Sequence, residues 1–151
     1  MNAKTERKLS HAERNAEGHA ETILALYRAH LALEAGADKA DVEGDEYTDA
    51  DAVRERAIES ALSVEVRSGW YSPGEEDKPQ EYNILLTTGG PALRIFGELT
   101  EFGEADADNS AMQVQDWGTP WTDYYSETAR QAEDWDKAFA WFLCCFYFGE
   151  V

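Results

Sequence analysis

The chain has 151 residues, of which 31 are acidic and 13 basic, for a net charge of −18, yet 43% of it is hydrophobic and it holds five Trp, seven Tyr and six Phe. An acidic chain poor in apolar residues would stay disordered, whereas one of this length and composition can fold as a single domain that buries roughly 70% of its unfolded surface. The charge argues against direct binding to DNA or RNA, which carry the same sign, and the longest apolar run, 139–148, is too short to cross a bilayer.

In chain order, residues 1–9 read as a flexible arm and 10–151 as one domain. The first residues are polar and mixed in charge, with no apolar core of a secretory signal, so a cytoplasmic location is expected. From Ser10 to about Ala35, Ala20, Ile23, Leu24, Tyr27 and Leu31 recur at helical spacing, and the helix should stop near Gly36. Residues 38–51 form a polar, acidic loop, after which Thr48 or Asp49 can cap a second helix with a stripe of Val53, Ala57, Ile58, Ala61 and Leu62. The period then changes. Leu62, Val64, Val66, Ser68 and Trp70 alternate with Ser63, Glu65, Arg67 and Gly69, as in a strand with one buried face. A turn-rich loop (72–80) leads to a second strand, Tyr82 to Thr88; Gly89-Gly90-Pro91 breaks it, and Ala92 to Leu99 supplies a third. Residues 103–110 are an acidic turn before a fourth strand, Met112 to Trp117. Ser126 should cap one last helix running through Phe148, with Trp135, Phe139, Phe142, Leu143 and Phe146 on one side. The expected fold is α+β: an antiparallel four-stranded meander with two N-terminal helices and one C-terminal helix. Cys144 and Cys145 are adjacent, point about 100° apart on a helix and cannot easily bridge, so both are expected to be free and buried.

Motifs for chemistry fail on spacing. Counted from Asp41, a calcium loop would need Gly at position 6 and Glu at position 12, where Glu46 and Ala52 stand; counted from Glu104 the residues are Asn109 and Gln115. His11, His19 and His30 lie along one helix at offsets of 8 and 11, too far apart to share a metal. No nucleophile elbow or phosphate loop is present. Neither an enzymatic role nor a cofactor or metal is therefore expected.

What remains is the charge. Residues 1–30 carry five basic and four acidic groups and the rest carry eight and twenty-seven, so the field belongs to the body of the domain and not to a tail. Eighteen charges match about 31 Å of duplex DNA, close to the roughly 38 Å expected across a domain of this size. Such a surface is drawn to proteins built to hold nucleic acid. Candidate contacts are Asp41, Glu43, Asp45, Glu46, Asp49 and Asp51 in the first acidic loop, Glu75, Glu76 and Asp77 in the hairpin, and Glu104, Asp106 and Asp108 in the last turn. Trp117 and Trp121, in the aromatic stretch QDWGTPWTDYY (115–125), are candidate anchors. The alternative is a protein-interaction or small-ligand-binding domain that uses the Trp117–Tyr125 stretch, with acidity serving solubility.

The segment EYNILLTTGGPALRIFGELTEFGE (81–104), the QDWGTPWTDYY stretch and the terminal CCFYFGE resemble a family of small acidic uncharacterised proteins carried by phages and other mobile elements; the likeness runs from Val64 onward. That resemblance implies an accessory protein made while a bacterium is invaded, and by analogy an anti-CRISPR or anti-restriction role. The expected partner is a basic nucleic-acid-binding protein or complex.

Overall fold

The computed structural model describes residues 9–149, so the arm expected at 1–9 falls outside it apart from Leu9. Helix α1 spans His11–Glu34. It begins where the Ser10 hydroxyl accepts from the Glu13 backbone N–H and the Glu13 carboxylate accepts from that of Ser10, each at 3.1 Å, so two otherwise orphaned donors are satisfied reciprocally. It ends as expected at Gly36, whose φ of 101° lets Gly36 N–H reach Leu33 O and Ala37 N–H reach Ala32 O. A side chain at that left-handed position would be strained.

The expected loop 38–51 is instead a hairpin of β1 (Ala40–Val42) and β2 (Asp45–Tyr47). Its turn residues, Glu43 and Gly44, have φ of 51° and 94°, the left-handed pair whose twist matches that of paired strands. Three-residue strands are too short to display a period among so many carboxylates. Val42, its one fully buried side chain, joins the main core. Helix α2 (Ala50–Glu59) starts at Asp49, whose side chain accepts from Asp51 N–H at 3.0 Å. Val53 and Ala57 are buried, but Ile58 and Leu62 of the expected stripe face solvent.

The main sheet has five strands, not four: β3 (Ser63–Ser68), β4 (Pro79–Thr87), β5 (Ala92–Leu99), β6 (Ala105–Gln115) and β7 (Thr122–Asp123), antiparallel neighbours in that order. With two residues, β7 leaves no periodic trace in sequence. The acidic turn expected at 103–110 lies mostly inside β6 as a bulge. Gly97 pairs with Ser110 and Leu99 with Ala105, so residues 106–109 arch out, held by Asp106, which accepts from Asp108 N–H and the Asn109 side chain. Gly97 is required where it stands, because a Cβ there would meet the backbone of Asn109 and Ser110 at 2.7 and 2.8 Å.

Paired residues share a face, so Ile84, Ile95 and Met112 form one row across β4, β5 and β6. That row is packed with Ile23 and Leu26 of α1 and with Phe142 and Leu143 near the C-terminus. Strand β3 is the exception to its expected buried face. Val64 pairs with Ile84 and Val66 with Tyr82, yet they are 37% and 42% exposed, and Trp70 is fully exposed, because the helical layer stops short of this edge strand. Tyr82 is buried, donates to Ser110 Oγ at 2.5 Å and packs its ring at a tilt against Phe148, centroids 4.9 Å apart; burial pushes its pKa well up.

The single C-terminal helix expected from Ser126 is two: α3 (Glu127–Gln131) and α4 (Trp135–Cys144), parted at Ala132, which is extended. Ser126 does cap α3, accepting from Ala129 N–H at 3.1 Å. Tertiary contacts fix the break. Arg28 of α1 holds Asp134 with two hydrogen bonds of 2.8 and 3.0 Å, and Glu17 of α1 holds the start of α3. Of the two cysteines, both free, only Cys145 is buried; Cys144 is exposed, contrary to expectation.

The Glu17 carboxylate is the hub of this joint. Its Oε2 accepts from Tyr124 Oη at 2.6 Å and Glu127 N–H at 3.1 Å; its Oε1 accepts from Ser126 Oγ, Thr128 N–H and Thr128 Oγ1 at 2.9–3.0 Å. A negative charge at a helix N-terminus is also favoured by the aligned peptide dipoles. Burial alone would raise its pKa, but the bonds from Tyr124, Thr128 and Ser126 outweigh it and hold the group below its ordinary value near 4.5. A depressed carboxylate pKa contributes stability above the unfolded value that is lost as pH falls through the folded one. Glu17→Gln should therefore lower stability by about 1–2 kcal/mol at pH 7, and the deficit relative to wild type should begin to shrink as pH drops below about 4.5 and disappear only once pH is below the lowered folded-state value, measured by urea denaturation across a pH series.

Candidate partner-binding surface

An antiparallel meander places alternate connections at opposite ends of the sheet. The β3–β4 and β5–β6 connections therefore share one end, and the β4–β5 and β6–β7 connections share the other. At the first end, Glu76 and Asp77 face Thr100 and Glu101 across a cavity of about 380 Å³, backed by Leu99 and Phe148. Glu75 and Glu104 adjoin its rim in sequence. Of the expected acidic segments, the hairpin lines this cavity, with Lys78 beside it, and the last turn reaches it through Gly103, while Asp106 and Asp108 do not line it.

The third does not join them through any bond among the described residues. Asp41, Glu43, Asp45 and Glu46 sit on the β1–β2 hairpin, and Asp49 and Asp51 at the start of α2, a unit that packs on α1. Several of these carboxylates have structural duties. Asp41 accepts from Gly44 N–H, Glu43 from the Thr22 hydroxyl at 2.7 Å, Asp49 caps α2, and Glu46 lies 3.9 Å from Lys39. Asp106 secures the β6 bulge. By contrast Asp45, Asp51, Glu75, Glu76, Asp77, Glu104 and Asp108 have no side-chain hydrogen bond or ion pair among the described residues. Beside the hairpin, Glu43, His19, Arg14 and Arg56 line an open cleft of about 660 Å³ between α1 and α2. Burial and the Arg56 charge hold the His19 pKa below its ordinary value.

The two tryptophans expected as joint anchors have different surroundings. Trp117 lies at the end of the sheet opposite the acidic cavity and is 82% exposed; its indole covers Gly90 so closely that a Cβ there would collide with it. Trp121 is half-buried, with the Arg94 guanidinium carbon 4.3 Å from its ring centroid. Tyr124 is bonded to Glu17, whereas Tyr125 is 70% exposed. Sequence reasoning passed over Glu17 and Arg94. A glutamate on a helix and an arginine in a strand have no local mark that sets them apart, and both act through partners on distant segments.

Among the described residues no three His, Cys, Asp or Glu side chains converge as a metal site, and no helix is long and apolar enough to cross a membrane. Comparisons with protein-family models, curated proteins and solved structures find no match. The surface itself therefore carries the functional argument. Trp121→Ala should cost about 0.5–1 kcal/mol of stability through the lost cation–π contact, while Trp117→Ala should change stability by less than about 0.5 kcal/mol, both read by urea denaturation followed by circular dichroism.

Proposed function

We propose that the protein is a non-enzymatic acidic inhibitor or decoy. It occupies the basic groove of a bacterial nucleic-acid-binding defence complex, such as a CRISPR effector or a restriction enzyme, in place of the nucleic acid. The observation that carries this reading is the gathering of unbonded carboxylates, Glu75, Glu76, Asp77 and Glu104, around one end of the sheet. Carboxylates already satisfied inside the fold would have to be stripped of their partners to bind; these do not. Charge on so many exposed groups steers a basic partner and speeds association. The resemblance to mobile-element proteins belongs to the same proposal and gives it a cytoplasmic setting in an invaded bacterium.

A second reading, an aromatic protein-interaction surface with acidity serving solubility, is favoured by the exposure of Trp117 and Tyr125. The two readings predict different losses. Under the first, inhibition of DNA binding by the target complex should weaken at least about tenfold between 50 and 200 mM salt. The combined change Glu75→Gln, Glu76→Gln, Asp77→Asn and Glu104→Gln should weaken it by a similar factor, and Trp117→Ala by little. Inhibition measured across a panel of effectors and restriction enzymes checks this. Salt-independent inhibition that is lost with Trp117→Ala would establish the second reading in place of the first.

A further inference from the structure

The face of the main sheet opposite the helices carries an unusual use of a scarce resource. Arg94 projects from β5 in a cross-strand row with Leu85, Gln113 and Asp123. Its Nε donates to Gln113 Oε1 at 2.8 Å, and the Gln113 Nε2 donates in turn to Asp123 Oδ1 at 2.8 Å. That relay fixes which end of the Gln113 amide faces the arginine. The guanidinium is also flanked by two rings, its carbon 4.7 Å from the centroid of Phe96 and 4.3 Å from that of Trp121. Position and plane are thus set, while the Nη donors have no acceptor among the described residues. In a chain with 31 acidic residues, no described carboxylate lies within ion-pair distance of this arginine.

Three further observations lie on the same face. Arg67 reaches over Phe96 from β3, its guanidinium carbon 5.3 Å from the centroid, and is neutralised by Glu81 at 2.7 Å. Asn83, paired with Phe96, has a buried side-chain oxygen with no hydrogen-bond partner. Arg94, Arg67, Asn83 and Phe96 line one cavity of about 190 Å³ together with Glu65 and Glu81, of which Glu81 is the ion-pair partner of Arg67. Burial, and then the like charge of Arg67, hold the Arg94 pKa below its ordinary value. A buried acceptor without a donor is unfavourable, and a guanidinium held in place with its Nη donors unused presents an open fork; one ligand can satisfy both.

We infer that this face is a binding site for a small oxyanion, a carboxylate or phosphate, that also bears an N–H or O–H donor. The Nη donors of Arg94 take two of its oxygens as a planar fork, and the donor satisfies Asn83 Oδ1. The site lies on the sheet face, apart from the acidic end used for docking, so its failure leaves the proposed docking role standing and the converse holds too.

Titration of the 15N-labelled protein with sodium phosphate, acetate and glycolate tests this by following the arginine Nε–H and tryptophan indole signals. Glycolate or phosphate should give a saturable shift at Arg94 and Trp121 with Kd below about 10 mM. Acetate, which has no hydroxyl donor, should bind more weakly than glycolate. Arg94→Lys keeps the charge but loses the fork and should weaken binding at least tenfold, and Asn83→Leu should remove the preference for glycolate over acetate. The wild-type map alone is decisive if a variant does not fold: shifts that never saturate, or that centre on residues other than Arg94 and Trp121, overturn the site. So does an Arg94→Lys protein that binds as the wild type does.

Discussion

The architecture depends on a carboxylate in the first helix that does the work of a cap for a helix over a hundred residues away. Glu17 satisfies two backbone donors at the start of α3, together with the hydroxyls of Tyr124, Ser126 and Thr128. A five-residue helix is too short to be stable alone, so α3 exists because α1 holds it. Once that end is pinned, and Arg28 pins Asp134, the chain is delivered to α4 at the angle that lays Phe139, Phe142 and Leu143 on the core. The Arg28 pair is exposed and contributes little energy by itself. The Glu17 cluster is better shielded and has five donors on two oxygens, so it is the stronger of the two ties.

The same distinction between satisfied and unsatisfied carboxylates organises the surface. An acidic group that caps a helix or closes a turn is neutralised in effect by backbone dipoles and contributes to the fold. One without a partner contributes only field. Asp49, Asp41 and Asp106 belong to the first kind, and Glu75, Glu76 and Asp77 to the second. Net charge alone therefore overstates the charge available to a partner. The proposed docking end is defined by which carboxylates are left over, and the proposed anion site by an arginine that is left over in the same sense.

Much of the fold was legible because its signals are local. Ser10, Asp49 and Ser126 mark helix starts, Gly36 marks a stop, and the alternation in Ala92–Leu99 gives β5 with its bounds as observed. The misreadings share a cause. β1, β2 and β7 are two or three residues long, below the length at which a period can be seen. β3 has the alternation of a half-buried strand, but whether a helix covers it is not encoded in its own residues. The C-terminal helix has continuous helical propensity, and only the grips from α1 interrupt it. The candidate site was legible as a list of carboxylates and rings; their division between two ends of the sheet required the strand order.

By itself the sequence determined the α+β class of the fold, some element boundaries such as those of α1 and β5, and a large negative charge on a chain able to bury a core, since composition and short-range period act within a few residues. The tertiary structure decided which carboxylates are bonded and which are free, and gave Trp117 and Trp121 different surroundings. It also brought Arg94 under an indole and Glu17 to the start of α3. These are contacts between segments far apart in sequence, and neither member of such a pair carries a local signal of the other.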